Sequence, residues 1–344
     1  NQCHTNQSNQ WAEKYITKWY GSVRKPHFGT IFAKCRSGNT EALNDVIRIV
    51  KDTSYATMVR ATAVSLLPNY NSLEAFESLK QTLKNNEPLI RYYAAHSIDN
   101  SYVQMLMNDL LPLLSDSIKA IRLDVAVKLS GLPKTMIPIG KHKLLDETIQ
   151  EYIEAMNYSA DFAGSRLNLG IIYSNTQNFE EAARQYSEAL KIDSLFYPAK
   201  VNLSVVLNRL NRNDEAEEIL HNLIKNHPDF YDSYYSLGLL LAEKKDYKGA
   251  IKHLTKATKH FPNRARIFYN LGLIFQVEKK FTKAEKAIKN AIKIEPKNLD
   301  YFYVLADMYL KSNQDKKAKA IAKEIENIFP PSSLRDAILN KIKN

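Results

Sequence analysis

The stretch LNLGIIYSNTQNFEEAARQYSEALKIDS, residues 167–194, indicates the fold of the chain. Its apolar residues form two blocks with helical spacing, and the polar segment SNTQN separates them. Two antiparallel helices approach closely only where a small residue replaces a large one, and Gly170 and Ala182 lie one in each block. The stretch therefore predicts a helical hairpin.

The hairpin pattern recurs every 34 residues from Ala163 onward, which is the mark of a repeat architecture. The small residues of the first helices are Gly170, Ser204, Gly238, Gly272 and Ala306, and the alanines of the second helices are Ala182, Ala216, Ala250, Ala284 and Ala318. Proline, which stops a helix, closes the units at Pro228, Pro262, Pro296 and Pro330, with Ser194 at that place in the first unit. The pattern resembles the tetratricopeptide repeat, with five units over 163–330 and a capping helix after them.

A second period, of 31 residues, lies upstream. It aligns Arg60, Arg91 and Arg122, each followed by an amphipathic stretch, rich in alanine in the first two. The pattern resembles HEAT-type repeats, and that resemblance implies that the arginine pairs with an acid of a neighbouring unit. Asp52 and Asp116 are the candidate acids.

The predicted fold class is all-α, with two stacked α-solenoids. Ten glycines and twelve prolines are few for 344 residues, which favours helices over a turn-rich β fold. We expect HEAT-like repeats over 28–132, a linker over 133–144 and the tetratricopeptide array with its capping helix over 145–344. No apolar run reaches the roughly 18 residues that a membrane span needs.

Positive charge is concentrated at one end of the chain. Residues 241–344 hold 23 Lys and Arg against 11 Asp and Glu, a net +12, whereas the whole chain carries +11. Such a segment can attract an acidic protein, anionic lipid or nucleic acid. The alternative is an ordinary solvated, lysine-rich helix face.

Motifs of common enzymes are absent from the sequence. It contains no Gly-x-Gly-x-x-Gly, no Walker-type Gly-Lys-Ser/Thr and no His-Glu-x-x-His. Carboxylate pairs such as Glu180-Glu181 lie on predicted helix surfaces and need no catalytic explanation. Nucleic-acid recognition motifs are also absent. We therefore predict a chain without catalytic residues that binds a protein partner and not a nucleic acid.

The tetratricopeptide resemblance implies a groove that is lined by the first helix of each unit and binds an extended peptide or a helix. Tyr235, Tyr269 and Tyr303 occupy the fifth position of three successive units, and Asn202 and Asn270 occupy the sixth. Tyrosine suits protein contacts, so these five residues are the predicted partner-binding set. The alternative is that the tyrosines pack against the adjacent repeat. No fifth position is basic, so a clamp for a terminal carboxylate is not indicated.

The chain begins NQCHTNQSNQW, in which Cys3 and His4 match the second half of a Cys-x-x-Cys-His haem-attachment motif. With Trp11, Trp19 and His27, this start resembles the end of the haem-bearing part in a family of multihaem c-type cytochromes. In that family HEAT-like and tetratricopeptide repeats follow. The resemblance implies haem c at Cys3 and His4 in the full-length protein, with His4 on the iron.

The same resemblance makes residues 1–27 a remnant or junction of a haem segment and His27 a distal haem ligand. The alternative for His27 is an ordinary helix-start histidine. As written, the chain lacks the first thiol, so no cofactor is expected in it; it is either the end of a longer cytochrome or a relative with a relic motif.

Three functions follow from these observations. The first is a non-catalytic scaffold of an exported multihaem cytochrome, periplasmic or at the cell surface, that docks or assembles redox partners. The second is an electron-transfer cytochrome with haem at Cys3 and His4. The third is a free-standing cytoplasmic adaptor with tetratricopeptide repeats. A homo-oligomer is compatible with each.

Overall fold

The computed structural model describes residues 6–22, 27–70, 72–329 and 331–343, and all regular elements within these ranges are helical. The all-α prediction of stacked α-solenoids is confirmed. Contacts between Cα atoms divide the chain into two compact units, of which the first ends at Ala155 and the second begins at Met156. Across the described ranges, no helix is both long enough and apolar enough to span a bilayer.

The first unit is built from short helices. Its helices are α1 Asn9–Tyr20, α2 Phe28–Arg36, α3 Leu43–Lys51, α4 Thr57–Leu66, α5 Leu73–Thr82, α6 Pro88–His96, α7 Asn100–Val103, α8 Met107–Leu110, α9 Lys119–Ser130 and α10 Ile139–Tyr158. Helix α10 runs on past the boundary between the units. The predicted linker, 133–144, contains the 3-10 turn Lys134–Met136 and the start of α10.

The three arginine-bearing helices α4, α6 and α9 pack in succession. Ala61 of α4, Ala94 of α6 and Ala126 of α9 are fully buried. Because alanine carries only a methyl group, neighbouring helices can approach closely at these points, and burial of the larger Ile90 and Ile121 supplies most of the hydrophobic stabilisation there.

The predicted arginine–acid pairing is present between Arg91 and Asp116. The guanidinium donates to both carboxylate oxygens, at 2.7 and 3.0 Å, and its remaining Nη donates to the carbonyls of Asn85 and Asn86. Only 15% of the Arg91 side chain and 5% of the Asp116 side chain are exposed. The hydrogen bonds from Arg91 hold the pKa of Asp116 below its usual range, although burial opposes this shift.

The other two arginines have different partners. Arg122 donates to Glu151 of α10, at 2.8 Å, which the sequence did not single out. Arg60 donates through Nε to the carbonyl of Val50, and the carboxylate of Asp52 accepts from the backbone N–H of Ser54. The assignment of these helices to the HEAT class stays a prediction.

The second unit consists of helix pairs in the order of the chain. Its helices are α11 Ala163–Asn175, α12 Phe179–Ile192, α13 Tyr197–Arg209, α14 Asn213–Asn226, α15 Asp232–Glu243, α16 Tyr247–His260, α17 Ala265–Val277, α18 Phe281–Ile294, α19 Leu299–Lys311, α20 Asp315–Ile328 and α21 Ser333–Lys343. We call α11, α13, α15, α17 and α19 the first helices and α12, α14, α16, α18 and α20 the second helices. The predicted capping helix is α21, which packs on α19 and α20.

The small residues lie where the two helices of a pair cross, as the spacing predicts. A Cβ atom on Gly238 of α15 would lie 2.6 Å from Cγ of Leu254 on α16. A Cβ atom on Gly272 would similarly meet Ile288 of α18 at 2.5 Å. The repeated alanines of the second helices, among them Ala250, are fully buried. Close approach therefore fixes the residue type at these places.

The turn between the helices of each pair uses one residue with a left-handed backbone. These residues are Gln177, Asn211, Lys245, Lys279 and Asn313, with φ between 55° and 64°. They recur at the repeat interval, so all five turns have the same conformation. Lysine adopts it at a cost that asparagine and glycine largely avoid.

Candidate partner-binding site

The predicted tyrosines form a row on three successive first helices. Tyr235 lies on α15, Tyr269 on α17 and Tyr303 on α19, and each is half-buried. Helix α15 contacts α17, and α17 contacts α19. We call these three residues the tyrosine row. Each ring packs partly on the array and leaves part of its surface accessible, and the role of the tyrosines in partner binding stays a prediction.

Two of the predicted binding residues contact each other. The side-chain amide of Asn270 donates to the Tyr235 hydroxyl at 3.1 Å. The sixth-position Asn202 instead hydrogen-bonds the buried Tyr186, whose pKa is raised by burial despite that bond. These two sixth-position asparagines therefore tie helices together.

Arginine side chains cover part of the tyrosine row. The guanidinium carbon of Arg264 lies 5.6 Å from the ring centroid of Tyr235, and that of Arg266 lies 4.9 Å from the ring centroid of Tyr269. Such distances are those of cation–π contacts. The repeat pattern does not mark either arginine, because Arg264 precedes α17 and Arg266 lies in its first turn, at positions where the other units have unrelated residues.

At the end of the row, the capping helix contacts Tyr303. Lys341 of α21 donates to the Tyr303 hydroxyl at 2.5 Å and lies 3.3 Å from a carboxylate oxygen of Asp307. Hydrogen bonds with Tyr303 and Asp307 raise the pKa of Lys341. Tyr303 is therefore engaged by the chain itself, and the accessible part of the row centres on Tyr235 and Tyr269.

Aliphatic residues extend the row along the first helices. Residues one helical turn past the fifth position lie on the same face of a helix. They are Val205 on α13, Leu239 on α15 and Leu273 on α17, of which Val205 is 44% exposed and the two leucines are partly buried. The resulting surface combines apolar area with hydroxyl and amide groups and with the guanidinium groups of Arg264 and Arg266. It suits an apolar or aromatic peptide segment better than a positively charged one.

The tyrosine hydroxyls of this surface are neutral donors and acceptors. Burial raises the pKa of Tyr235, against the opposing effect of Arg266, Arg264 and the hydrogen bond with Asn270. Burial also raises the pKa of Tyr269, again opposed by Arg266. Neither hydroxyl ionises near neutral pH, so we expect binding through this row to be insensitive to pH in that range.

The residues that the cytochrome resemblance assigns to haem are Cys3, His4 and His27. Cys3 and His4 lie outside the described residues, and Cys35, the described cysteine, is buried in α2. His27 precedes α2 and caps it, since its Nδ1 accepts from the backbone N–H of Gly29 at 3.1 Å. No pair of thiols for a haem c linkage exists within the described part of the chain. The assignment of His27 as a haem ligand stays a prediction.

The N-terminal tryptophans lie on α1. Trp11 and Trp19 flank Tyr15 on one side of that helix, with ring centroids 4.9 and 5.7 Å from the tyrosine ring. Trp19 is 65% exposed. The described residues contain no cluster of three or more His, Cys, Asp or Glu side chains that could hold a metal ion.

Comparison with known protein families supports the repeat assignment. Residues 167–221 and 206–265 match one tetratricopeptide-repeat model, and residues 265–298 match another. The predicted tetratricopeptide repeats are thereby confirmed over most of the array. Neither match reaches the first unit. No curated protein matches the chain significantly.

Solved structures resemble part of the chain. A crystal structure of MamA is 22% identical, covers 45% of this chain and 91% of its own, and has a TM-score of 0.41. YrrB, described as a TPR protein with an unusual peptide-binding site, is 20% identical over 56% of this chain and 97% of its own, with a TM-score of 0.42. TTC0263, a thermophilic TPR protein in Thermus thermophilus, is 20% identical over 53% of this chain and 98% of its own, with a TM-score of 0.43. These values carry no argument about function.

Proposed function

We propose that this chain is a non-catalytic scaffold that binds a protein partner on the first helices of its tetratricopeptide array. The observation that carries the proposal is the tyrosine row and the aliphatic residues beside it. They form a surface with exposed apolar area and neutral hydrogen-bonding groups on consecutive helices. The ligand that fits is an apolar or aromatic segment of a protein, bound extended or as a helix.

A charge placed on this surface tests the proposal. Val205→Glu puts a carboxylate beside the row at a side chain that is already 44% exposed, so we expect the fold to survive. Burying an unpaired charge on binding costs several kcal/mol, so a ligand held there loses at least about tenfold in affinity. Met58→Glu, at a 61% exposed residue of α4, is the matched control.

The measurement uses the whole chain and a peptide chosen from a random displayed library by the unmodified protein. Fluorescence anisotropy then compares the unmodified protein, the Val205→Glu variant and the Met58→Glu variant. Weaker binding in the Val205→Glu variant alone supports the proposal. Equal binding by all three proteins removes the tyrosine row as the binding surface.

We propose, more narrowly, that this scaffold is part of an exported multihaem cytochrome and docks a redox partner in the periplasm or at the cell surface. Its support is the sequence: the Cys3-His4 half-motif and the order of the two repeat arrays. Haem staining of the denatured protein from its native host, with Cys3→Ser alongside, tests covalent haem. If the native protein band does not stain for haem, the proposal fails and the remaining function is that of an adaptor without a redox role.

A further inference from the structure

Second helices α16 and α18 carry an unusual concentration of positive charge. The sequence of α16 contains four lysines and no acid, and that of α18 contains four lysines and the single acid Glu285. Glu285 is held by Lys289 and by Lys317 of α20, at 2.8 and 3.1 Å. Burial opposes its ionisation, but these hydrogen bonds and one from Tyr309 lower the pKa of Glu285 to about 2. The only carboxylate on the two helices is thus already neutralised.

Four of the other lysines point outward in register. Helix α16 buries Ala250, Leu254 and Ala257, and a residue two positions beyond a buried one lies on the opposite side of a helix. This applies to Lys252 and Lys259 of α16 and, one repeat later, to Lys286 and Lys293 of α18. We call these four residues the lysine face. All four are exposed, and none forms an ion pair with a described residue.

Residues seven positions apart on a helix, such as Lys252 and Lys259 or Lys286 and Lys293, are separated by about 10 Å, close to the Debye length at physiological salt. The two ammonium groups on each helix therefore repel each other. The helix dipole favours Lys259 and Lys293, which lie in the last turn of their helices, but it gives no such reason for Lys252 and Lys286.

Helix packing does not require the lysines. Helix α14 occupies the equivalent position one repeat earlier, and its buried residues are Ala216, Leu220 and Leu223. Its sequence contains four acids and one lysine, and the exposed Glu218 stands where α16 has Lys252. The inner sides of these helices are alike, while the charge at this outer position is reversed. At the position of Lys259, α14 also has a lysine, Lys225, so the contrast between the two helices rests on Lys252. Packing therefore leaves the outer position of Lys252 and Lys286 free to serve binding.

Helices α16 and α18 carry lysine but no arginine, and this indicates which kind of anion the lysine face would bind. In nucleic-acid sites, arginine binds phosphate groups through paired hydrogen bonds, and aromatic side chains stack on the bases. The sequences of α16 and α18 contain no arginine, and their aromatic residues Tyr247 and Phe281 are partly buried. Lysine is a hydrated point charge that suits a surface of many dispersed phosphates. The lysines are also dispersed along two second helices of successive repeats.

We propose that the lysine face binds the surface of an anionic lipid bilayer. The contact is peripheral and electrostatic, because the described residues contain no helix that could span a membrane and the four positions themselves are lysines. It uses second helices, whereas the tyrosine row lies on first helices. A protein partner and a membrane could therefore be bound by the same array at different faces.

The experiment is co-sedimentation of the whole chain with phosphatidylcholine vesicles containing either no anionic lipid or about 30% phosphatidylglycerol, at about 50 and about 300 mM NaCl. The test variant combines Lys252→Gln, Lys259→Gln, Lys286→Gln and Lys293→Gln. The control variant makes the same change at four exposed lysines of the first unit, Lys14, Lys34, Lys51 and Lys143. Circular dichroism confirms that both variants remain helical.

We expect binding only to the anionic vesicles, and more weakly at high salt. Each lysine near an anionic surface is worth about fivefold in affinity, so the test variant should bind at least about tenfold more weakly than the control variant. Equal binding of the two variants overturns the proposal. Tighter binding to duplex DNA than to vesicles, lost in the test variant, also overturns it in favour of a nucleic-acid site. Self-association in sedimentation velocity that the test variant abolishes overturns it in favour of a second copy.

Discussion

Asn270 on α17 donates a hydrogen bond of 3.1 Å to the Tyr235 hydroxyl on α15, so the side chains of two successive repeats are tied together on the predicted binding surface. The bond joins a sixth-position asparagine to a fifth-position tyrosine of the unit before it. Both residues are partly buried. The same pair thus contributes to stability and forms part of the surface that a partner would meet.

A double-mutant cycle measures that bond. Tyr235→Phe and Asn270→Ala should each lower the free energy of unfolding by about 1 kcal/mol, because each removes one side of a partly buried hydrogen bond. The double variant should lose about 0.5–1 kcal/mol less than the sum of the two. Urea denaturation followed by circular dichroism provides the values, and strict additivity would show that the bond contributes nothing.

The crossing points of the helix pairs should not tolerate a methyl group. Gly238→Ala places a Cβ atom against Leu254, so we expect a loss of about 1–3 kcal/mol in the free energy of unfolding. Gly164→Ala in α11 is the control, since a Cβ atom there meets nothing within 4 Å. That change should be neutral or slightly stabilising, because alanine favours helix over glycine. Thermal unfolding of the two variants tests this prediction. Similar melting temperatures for Gly238→Ala and Gly164→Ala would contradict it.

The left-handed turns offer a stabilising substitution. Lys279 has a φ of 55°, and glycine adopts that conformation without the Cβ clash. Lys279→Gly should therefore raise the free energy of unfolding by about 0.5–1 kcal/mol. Lys286→Gly, inside α18, should lower the free energy of unfolding by about 1 kcal/mol, because glycine is unfavourable in the interior of a helix. If both changes destabilise equally in a denaturant titration, the turn is not under strain.

The Arg91–Asp116 pair should make the stability of the chain depend on pH. Because the pKa of Asp116 is lowered in the folded state, its contribution is present at neutral pH and is lost as the pH falls through and below the ordinary carboxyl range. Asp116→Asn should cost about 2–3 kcal/mol at pH 7, since Arg91 is left buried with a weaker partner. The difference from the unmodified protein should shrink below about pH 4.

The control for that pair is Asp45→Asn. Asp45 pairs with Arg48 at 2.8 Å, but 41% of its side chain and 57% of that of Arg48 are exposed. Exposed pairs contribute about 0–1 kcal/mol, so this change should alter the unfolding free energy little at any pH. An equal loss for both variants, or a loss for Asp116→Asn that does not shrink at all as the pH falls below about 4, would rule out this origin of the pH dependence.

The sequence by itself determined the features that repeat. The 34-residue period predicted the helix pairs, and Gly238 and Ala250 are small because the helices of a pair touch there. The resemblance to HEAT-type repeats implied that an arginine of the 31-residue period pairs with an acid, and Asp116, one of the two candidates, pairs with Arg91. These inferences succeeded because helix geometry and close packing act in the same way in each unit, so their requirements recur at fixed intervals.

Only the tertiary structure decided the contacts that do not repeat. Arg122 pairs with Glu151, and Arg264 covers Tyr235, because of side chains that occur in a single unit. The basic composition of the C-terminal third was visible in the sequence, but its division into neutralised lysines such as Lys289 and the outward lysine face was not. Which charges are neutralised depends on distances between side chains of neighbouring helices, and a linear period contains no information about those distances.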